Sequence, residues 1–217
     1  MRHVLILAPL VDFSKIRITL AKSEQADSPG AAGLVANTLF RTLTELFTLK
    51  GIEVSDAAFD SGDPDKDSKT SASSKIEEAF GAFVKQTSPR GEDSYSFRDG
   101  AQHYRVEREL LEELDHVDIV ILTYATGAAY SESSGMTVLE GIAALGGDAG
   151  GGASDWLSVH IAVIDTRSGM TMYYLKSDIP GNFIKKPDRM SSPVREGLKP
   201  FFRHLALSKE SHRRRGL

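Results

Sequence analysis

The residues that could carry chemistry in this 217-residue chain are scattered, and their spacing decides what they can do. GGDAGGG, residues 146–152, is the densest glycine cluster. A phosphate cradle needs its glycines between a strand and the N-terminus of a helix, where backbone N–H groups converge. Here the order is reversed: the loop follows a helix-like stretch (136–145) and leads into a strand. The G-x-x-x-x-G-K-[ST] and G-x-G-x-x-G spacings are absent. The cluster therefore reads as a flexible connection. Asp63, Asp65 and Asp67 open like a calcium loop, but Ser68 and Ser74 stand where glycine and glutamate belong. The histidines, at 3, 103, 116, 160, 204 and 212, form no H-x-x-x-H pair, and there is no cysteine. No metal site and no cofactor are expected. SESSG (131–135) is not the G-x-S-x-G elbow of a serine nucleophile. A triad of Ser134, His160 and Asp165 has no support in spacing. His160 reads as a hydrogen-bonded sheet residue beside Ser158.

Hydroxyls and a glycine after a central strand remain a reasonable place for an anion. Thr126, Gly127, Ser131, Ser133 and Ser134 form such a candidate ligand or interaction loop, following Thr123 at the strand's end.

The elements that must position these groups alternate between strand and helix. HVLILAPL (3–10) and VDIVILTY (117–124) read as buried strands. Residues 11–20 either extend the first strand or form a loop. Ser28 and Pro29 open a helix that stops at Gly51, and a strand begins at 52. Residues 60–100 form a polar insertion holding a short helix at 75–84. An amphipathic helix is expected over 104–114, with Arg105–Glu109 and Arg108–Glu112 pairs. LSVHIAVI (157–164) and MTMYYL (170–175) flank DTRSG, a hairpin turn with Gly169 suited to positive φ. Ser192 and Pro193 open a last helix, kinked near Pro200. The fold class is α/β, a layered mixed sheet with helices and a C-terminal antiparallel hairpin. It forms one domain over 1–207, followed by a basic, disordered tail at 208–217.

A net charge of -4 gives no reason to expect nucleic acid, despite Arg213, Arg214 and Arg215. No apolar run approaches the roughly 20 residues that span a bilayer.

HVDIVILTYATGAAYSESSG, an apolar helix ending in LGG, a glycine-rich gap and LSVHIAVIDTRSGMTMYY together resemble a group of bacterial cell-envelope lipoproteins. The group includes the GNA-type lipoprotein and the curli-secretion and TolB N-terminal domains. Asp165, Gly169, Tyr173 and Tyr174 match its hairpin, with tyrosine where tryptophan is usual and Ser168 where threonine is common. The match covers mainly 1–55 and 115–207. The resemblance implies an anticodon-binding-domain-like fold and a non-catalytic envelope protein. It also implies a role in assembly or secretion of surface structures. Partners would be other envelope proteins, or the chain itself as a homo-oligomer. Location would be periplasmic or at the outer membrane, with membrane contact only through a lipid anchor upstream of Arg2. The motif itself is turn chemistry: Asp165 caps the turn, Gly169 supplies its left-handed position, and Tyr173 and Tyr174 point to opposite faces. The alternative is a doubly wound cytoplasmic enzyme or binding protein for a nucleotide or small metabolite.

Overall fold

A computed structural model describes residues 3–18, 23–56, 71–87, 104–114, 117–131, 155–181, 183–184 and 186–215. The strands are β1 (His3–Ile6), β2 (Leu10–Ile18), β3 (Ser23–Asp27), β4 (Glu53–Asp56), β5 (Ile119–Ser131), β6 (Trp156–Asp165) and β7 (Thr171–Pro180). The helices are α1 (Pro29–Leu49), α2 (Ser71–Thr87), α3 (Arg108–Glu112) and α4 (Asp188–Arg215). All seven strands among the described residues join one mixed sheet.

β5 lies at its centre. On one side β6 pairs with it antiparallel, and β7 follows as an edge. On the other side β1 and β2 run parallel to it in succession. Beyond them, β4 pairs parallel with β1 only, and β3 pairs antiparallel with β2 only. Ile6 stands opposite Ile121 and Leu10 opposite Tyr124. Four steps on one strand thus match three on its neighbour, so residues 8 and 9 together face Thr123. This is a bulge, placed where Pro9 cannot donate to a ladder. The extra residue reverses the alternation. Before it, Val4 and Ile6 face one core, and after it Val11 and Phe13 face the same one.

That core lies between the sheet and α1 plus α4. Val35, Leu39, Leu43, Leu46 and Phe47 give α1 one apolar stripe. Met190, Val194, Leu198 and Phe201 do the same for α4. On the opposite face Ile76, Phe80 and Val84 of α2, with Leu111 of α3, cover Leu5, Leu7, Val120 and Leu122. Helices on both faces of one sheet make an α/β layered domain.

Several expectations need correction. Residues 11–18 extend the sheet as β2, and β5 continues through Ser131, seven residues past its expected end. Within 60–100, α2 runs over 71–87 and packs into the core, so this part is more than a surface insertion. Only 108–112 of the expected 104–114 helix forms. Residues 104–106 instead serve the hairpin: Arg105 bridges Met170, and the Val106 N–H donates to the Gly169 carbonyl at 3.0 Å. The Arg108–Glu112 pair is present, Nε to Oε1 3.1 Å. α4 starts at Asp188, ahead of Pro193, because buried Met190 belongs to the same stripe as Val194 and Leu198. It carries Pro193 and Pro200 within it and continues to Arg215, through the segment expected as a disordered tail.

Gly33 sits exposed in α1, and a Cβ there would meet nothing within 4 Å. Gly33→Ala should raise stability by about 1 kcal/mol, since alanine loses less backbone entropy in a helix. Chemical denaturation with an unchanged m-value is the check.

Candidate functional site

The register aligns polar residues in two rows on the α2 side of the sheet. One row runs Asp12, Thr126, Ser158, Asp178 across β2, β5, β6 and β7. The next runs Tyr124, His160, Lys176 across β5, β6 and β7, with apolar Leu10 of β2 at its end. At their middle, Ser158 Oγ lies 3.2 Å from His160 Nε2, and His160 Nδ1 lies 2.5 Å from the Tyr174 hydroxyl. His160 is fully buried. Burial, with help from the Lys176 ammonium and against the pull of Asp178, pushes its pKa down to about 4. Burial also drives the Tyr174 phenol well above its ordinary range. The imidazole is thus neutral at pH 7, one nitrogen donating and the other accepting.

A serine hydroxyl on Nε2 is the spacing of a nucleophile and its base. The third group here is a neutral phenol, which cannot stabilise an imidazolium as a carboxylate does. The arrangement therefore resists holding a proton on His160. It also differs from the Ser134–His160–Asp165 set: Asp165 lies at the hairpin, and Ser134 falls outside the described residues.

A second polar cluster lines an open cleft of about 890 Å³ at the outer edge of the sheet. It arises because β4 leaves β1 at Ile6 and β3 joins β2 only at Ser14. Between these points the chain at 7–13 lies beside the start of α1 on one face and α2 on the other. Gly81 lets α2 approach closely, since a Cβ there would sit 3.2 Å from Leu10 Cδ1. Asp12 Oδ2 receives Lys85 Nζ at 3.2 Å and the Tyr124 hydroxyl at 3.5 Å. Lys85 Nζ also stands 5.9 Å from the Tyr124 ring centroid. The Asp12 and Lys85 side chains are half exposed, so their attraction is screened. The cleft is lined by one lysine, two carboxylate residues (Asp12 and Glu78) and one phenol, groups that a small polar molecule could meet. Among the described residues no group of three His, Asp or Glu is placed to hold a metal.

Of the candidate loop residues, Thr126 and Gly127 lie within β5, and Ser131 is its last residue. They do not form a loop. Gly127 is demanded by packing: a Cβ would fall 2.5 Å from the Trp156 carbonyl and 3.0 Å from Phe13. Small residues after Tyr124 thus mark a crowded strand, a signal easily mistaken for a turn. Ser133, Ser134, GGDAGGG and Asp63, Asp65 and Asp67 lie outside the described residues.

The hairpin residues are where the sequence places them. Asp165 Oδ2 accepts from the Ser168 hydroxyl at 2.6 Å and the Ser168 N–H at 3.2 Å. Gly169 has φ +69°. Tyr173 joins the α1–α4 core and donates to the Gly197 carbonyl at 2.5 Å, while Tyr174 lies on the other face with His160.

Sequence reasoning missed the Asp12–Lys85–Tyr124 cluster, whose members come from three elements. Its one signal is Asp12, a lone carboxylate in VLILAPLVDF.

Thr123 is 3% exposed and its hydroxyl has no hydrogen-bond partner among the described residues. Thr123→Val keeps the shape and removes the desolvated oxygen, so it should stabilise by about 1 kcal/mol. A shift of the urea midpoint reads this directly.

Neither a family model nor a curated protein matches the sequence. Solved structures offer loose likenesses. Lipoprotein GNA1162 from Neisseria meningitidis aligns over 90% of this chain and 97% of its own, at 14% identity and a TM-score of 0.39. The hypothetical protein CT253 from Chlamydia trachomatis aligns over 96% and 95%, at 12% identity and 0.37. A neuraminyllactose-binding hemagglutinin homolog from Helicobacter pylori aligns over 83% and 63%, at 9% and 0.37. Likenesses this loose do not fix a shared activity. No helix among the described residues is long and apolar enough to cross a membrane.

Proposed function

We propose that this chain is a non-catalytic cell-envelope protein that works by binding other proteins. The observation that carries this reading is His160. It is the described histidine with a nucleophile-like neighbour, yet it is fully buried and kept neutral between two hydroxyls. Asp12, a further carboxylate in the cleft, pairs with Lys85. The envelope location and a role in assembly or secretion of surface structures rest on the resemblance carried by Asp165, Gly169, Tyr173 and Tyr174. A lipid anchor upstream of Arg2 belongs to the same proposal.

Cell fractionation with mass analysis of the N-terminal peptide tests it. A lipid-modified cysteine in a membrane fraction, with envelope proteins recovered after in-cell cross-linking, supports the reading. An unmodified Met1 in the cytosol overturns it.

The cleft favours a second reading, a binding protein for a nucleotide or small metabolite beside the sheet edge. A thermal-shift screen of nucleotides and small anions distinguishes the two. A hit abolished by Lys85→Met would support the second.

A further inference from the structure

Alternation along the β6–β7 ladder gives each β7 residue a side. The Asp165 N–H donates to the Met170 carbonyl, and the Gly181 N–H donates to the Asp155 carbonyl. Together with the pairing of Val159 to Ser177 and Leu157 to Ile179, this turns odd-numbered peptide groups of β7 toward β6. The peptide groups of Lys176 and Asp178 therefore point outward from the sheet. Among the described residues the β-bridge on that edge joins Arg105 to Met170, at the hairpin end. Residues 175–179 lie beyond it. An edge of this kind is a template for another strand.

We propose that a second copy of this chain pairs with it there. The two β7 strands run antiparallel, with the two-fold axis beside Ser177. This deepens the protein-binding reading above and rests on it for its biological role.

The charges select the register. An axis at Ser177 sets Lys176 opposite the partner copy's aspartate at 178 and Asp178 opposite its lysine at 176. Leu175 then faces the partner's isoleucine at 179 on the other side of the sheet. An axis at 176 would set lysine against lysine, and one at 178 aspartate against aspartate, both unfavourable directly across a ladder. Within one copy Lys176 Nζ already lies 3.8 Å from Asp178 Oδ2, and the aspartate is 70% exposed. Two copies would thus form a closed square of alternating charge. Pro180, with no N–H, ends the ladder after this short stretch. The contact is isologous, so it closes at two copies.

Sedimentation equilibrium of the full chain from ~1 µM to ~1 mM tests the idea. A monomer–dimer equilibrium is expected. Lys176→Asp sets carboxylates together at both pairs, and Asp178→Lys sets ammoniums together. Each alone should weaken the dimer at least about tenfold, and the double exchange should return it to within about threefold of wild type. Should one single variant fail to fold, the reciprocal variant and the double still decide. A wild-type monomer at ~1 mM overturns the proposal. So does a dimer indifferent to both single changes, or one that the double exchange does not restore. A monomer that still captures envelope proteins removes the self-association and leaves the wider reading standing. A charge-dependent dimer found in the cytosol does the reverse.

Discussion

Gly169→Val should lower stability by about 3 kcal/mol, or roughly 10 °C in melting temperature for a chain of this size. Two costs combine. The residue has φ +69°, where a β-branched side chain is strained. A Cβ would also fall 2.5 Å from the Val106 carbonyl oxygen, which is backbone and cannot swing aside. The Val106 N–H donates to Gly169, so relief by moving 104–106 away breaks that bond as well. Gly181→Val separates the two costs. It has φ +59° but open space around the Cβ, so it should lose about half as much. Equal losses at the two sites would show that the contact with Val106 contributes nothing.

Acidification should destabilise the protein by about 3 kcal/mol through His160 alone. The sign follows from the lowered pKa, about 4 in the fold against an ordinary 6.5. Between these values the unfolded chain binds a proton that the folded chain refuses. Stability attributable to this group is complete above pH 6.5 and falls by about 1.4 kcal/mol per unit below it. The fall ends below pH 4, where both states are protonated. His160→Gln removes the titration, so the wild-type and variant stability curves should differ in slope between pH 6.5 and 4. Carboxylates elsewhere contribute to both curves and cancel in the difference. Parallel curves would mean that His160 takes up its proton without cost, and that the pairing with Ser158 and Tyr174 tolerates an imidazolium.

What could be read from sequence follows a physical division. Local patterns survive unaltered. The stripe of Leu39, Leu43 and Phe47, the stop at Gly51 and the Asp165–Gly169 turn each depend on a few neighbouring residues. Patterns set by distant partners do not. YRVERELLEEL has helical spacing, but Tyr104–Val106 lie extended because the hairpin tip offers them hydrogen bonds. ATGAAYS lacks an apolar strand pattern, yet it is strand because β2 and β6 pair with it, and at Gly127 the Trp156 carbonyl and Phe13 leave no room for a Cβ. β3, polar except for Ala26 as SEQAD, shows no apolar alternation and is held by its pairing with β2. The candidate cleft was illegible for the same reason. Asp12, Lys85 and Tyr124 are separated by 112 residues of chain and meet only through the topology.

The doubled residue at 8 and 9 acts as a phase-shifter between two strands that share one stretch of chain. Its effect is a counting rule. Removing one residue there leaves the parity of 3–6 intact and inverts that of 10–14. Val11 and Phe13 would then turn toward α2, while Asp12 and Ser14 would enter the core beneath α1 and α4. Adding two residues lengthens the break without changing its parity, whereas removing two would leave two steps, at most about 7 Å, to span the roughly 10 Å between the positions beside Ile121 and Tyr124. The break between the first two strands should therefore tolerate insertions in even steps only, as a pleated surface with a different set of side chains on each face requires.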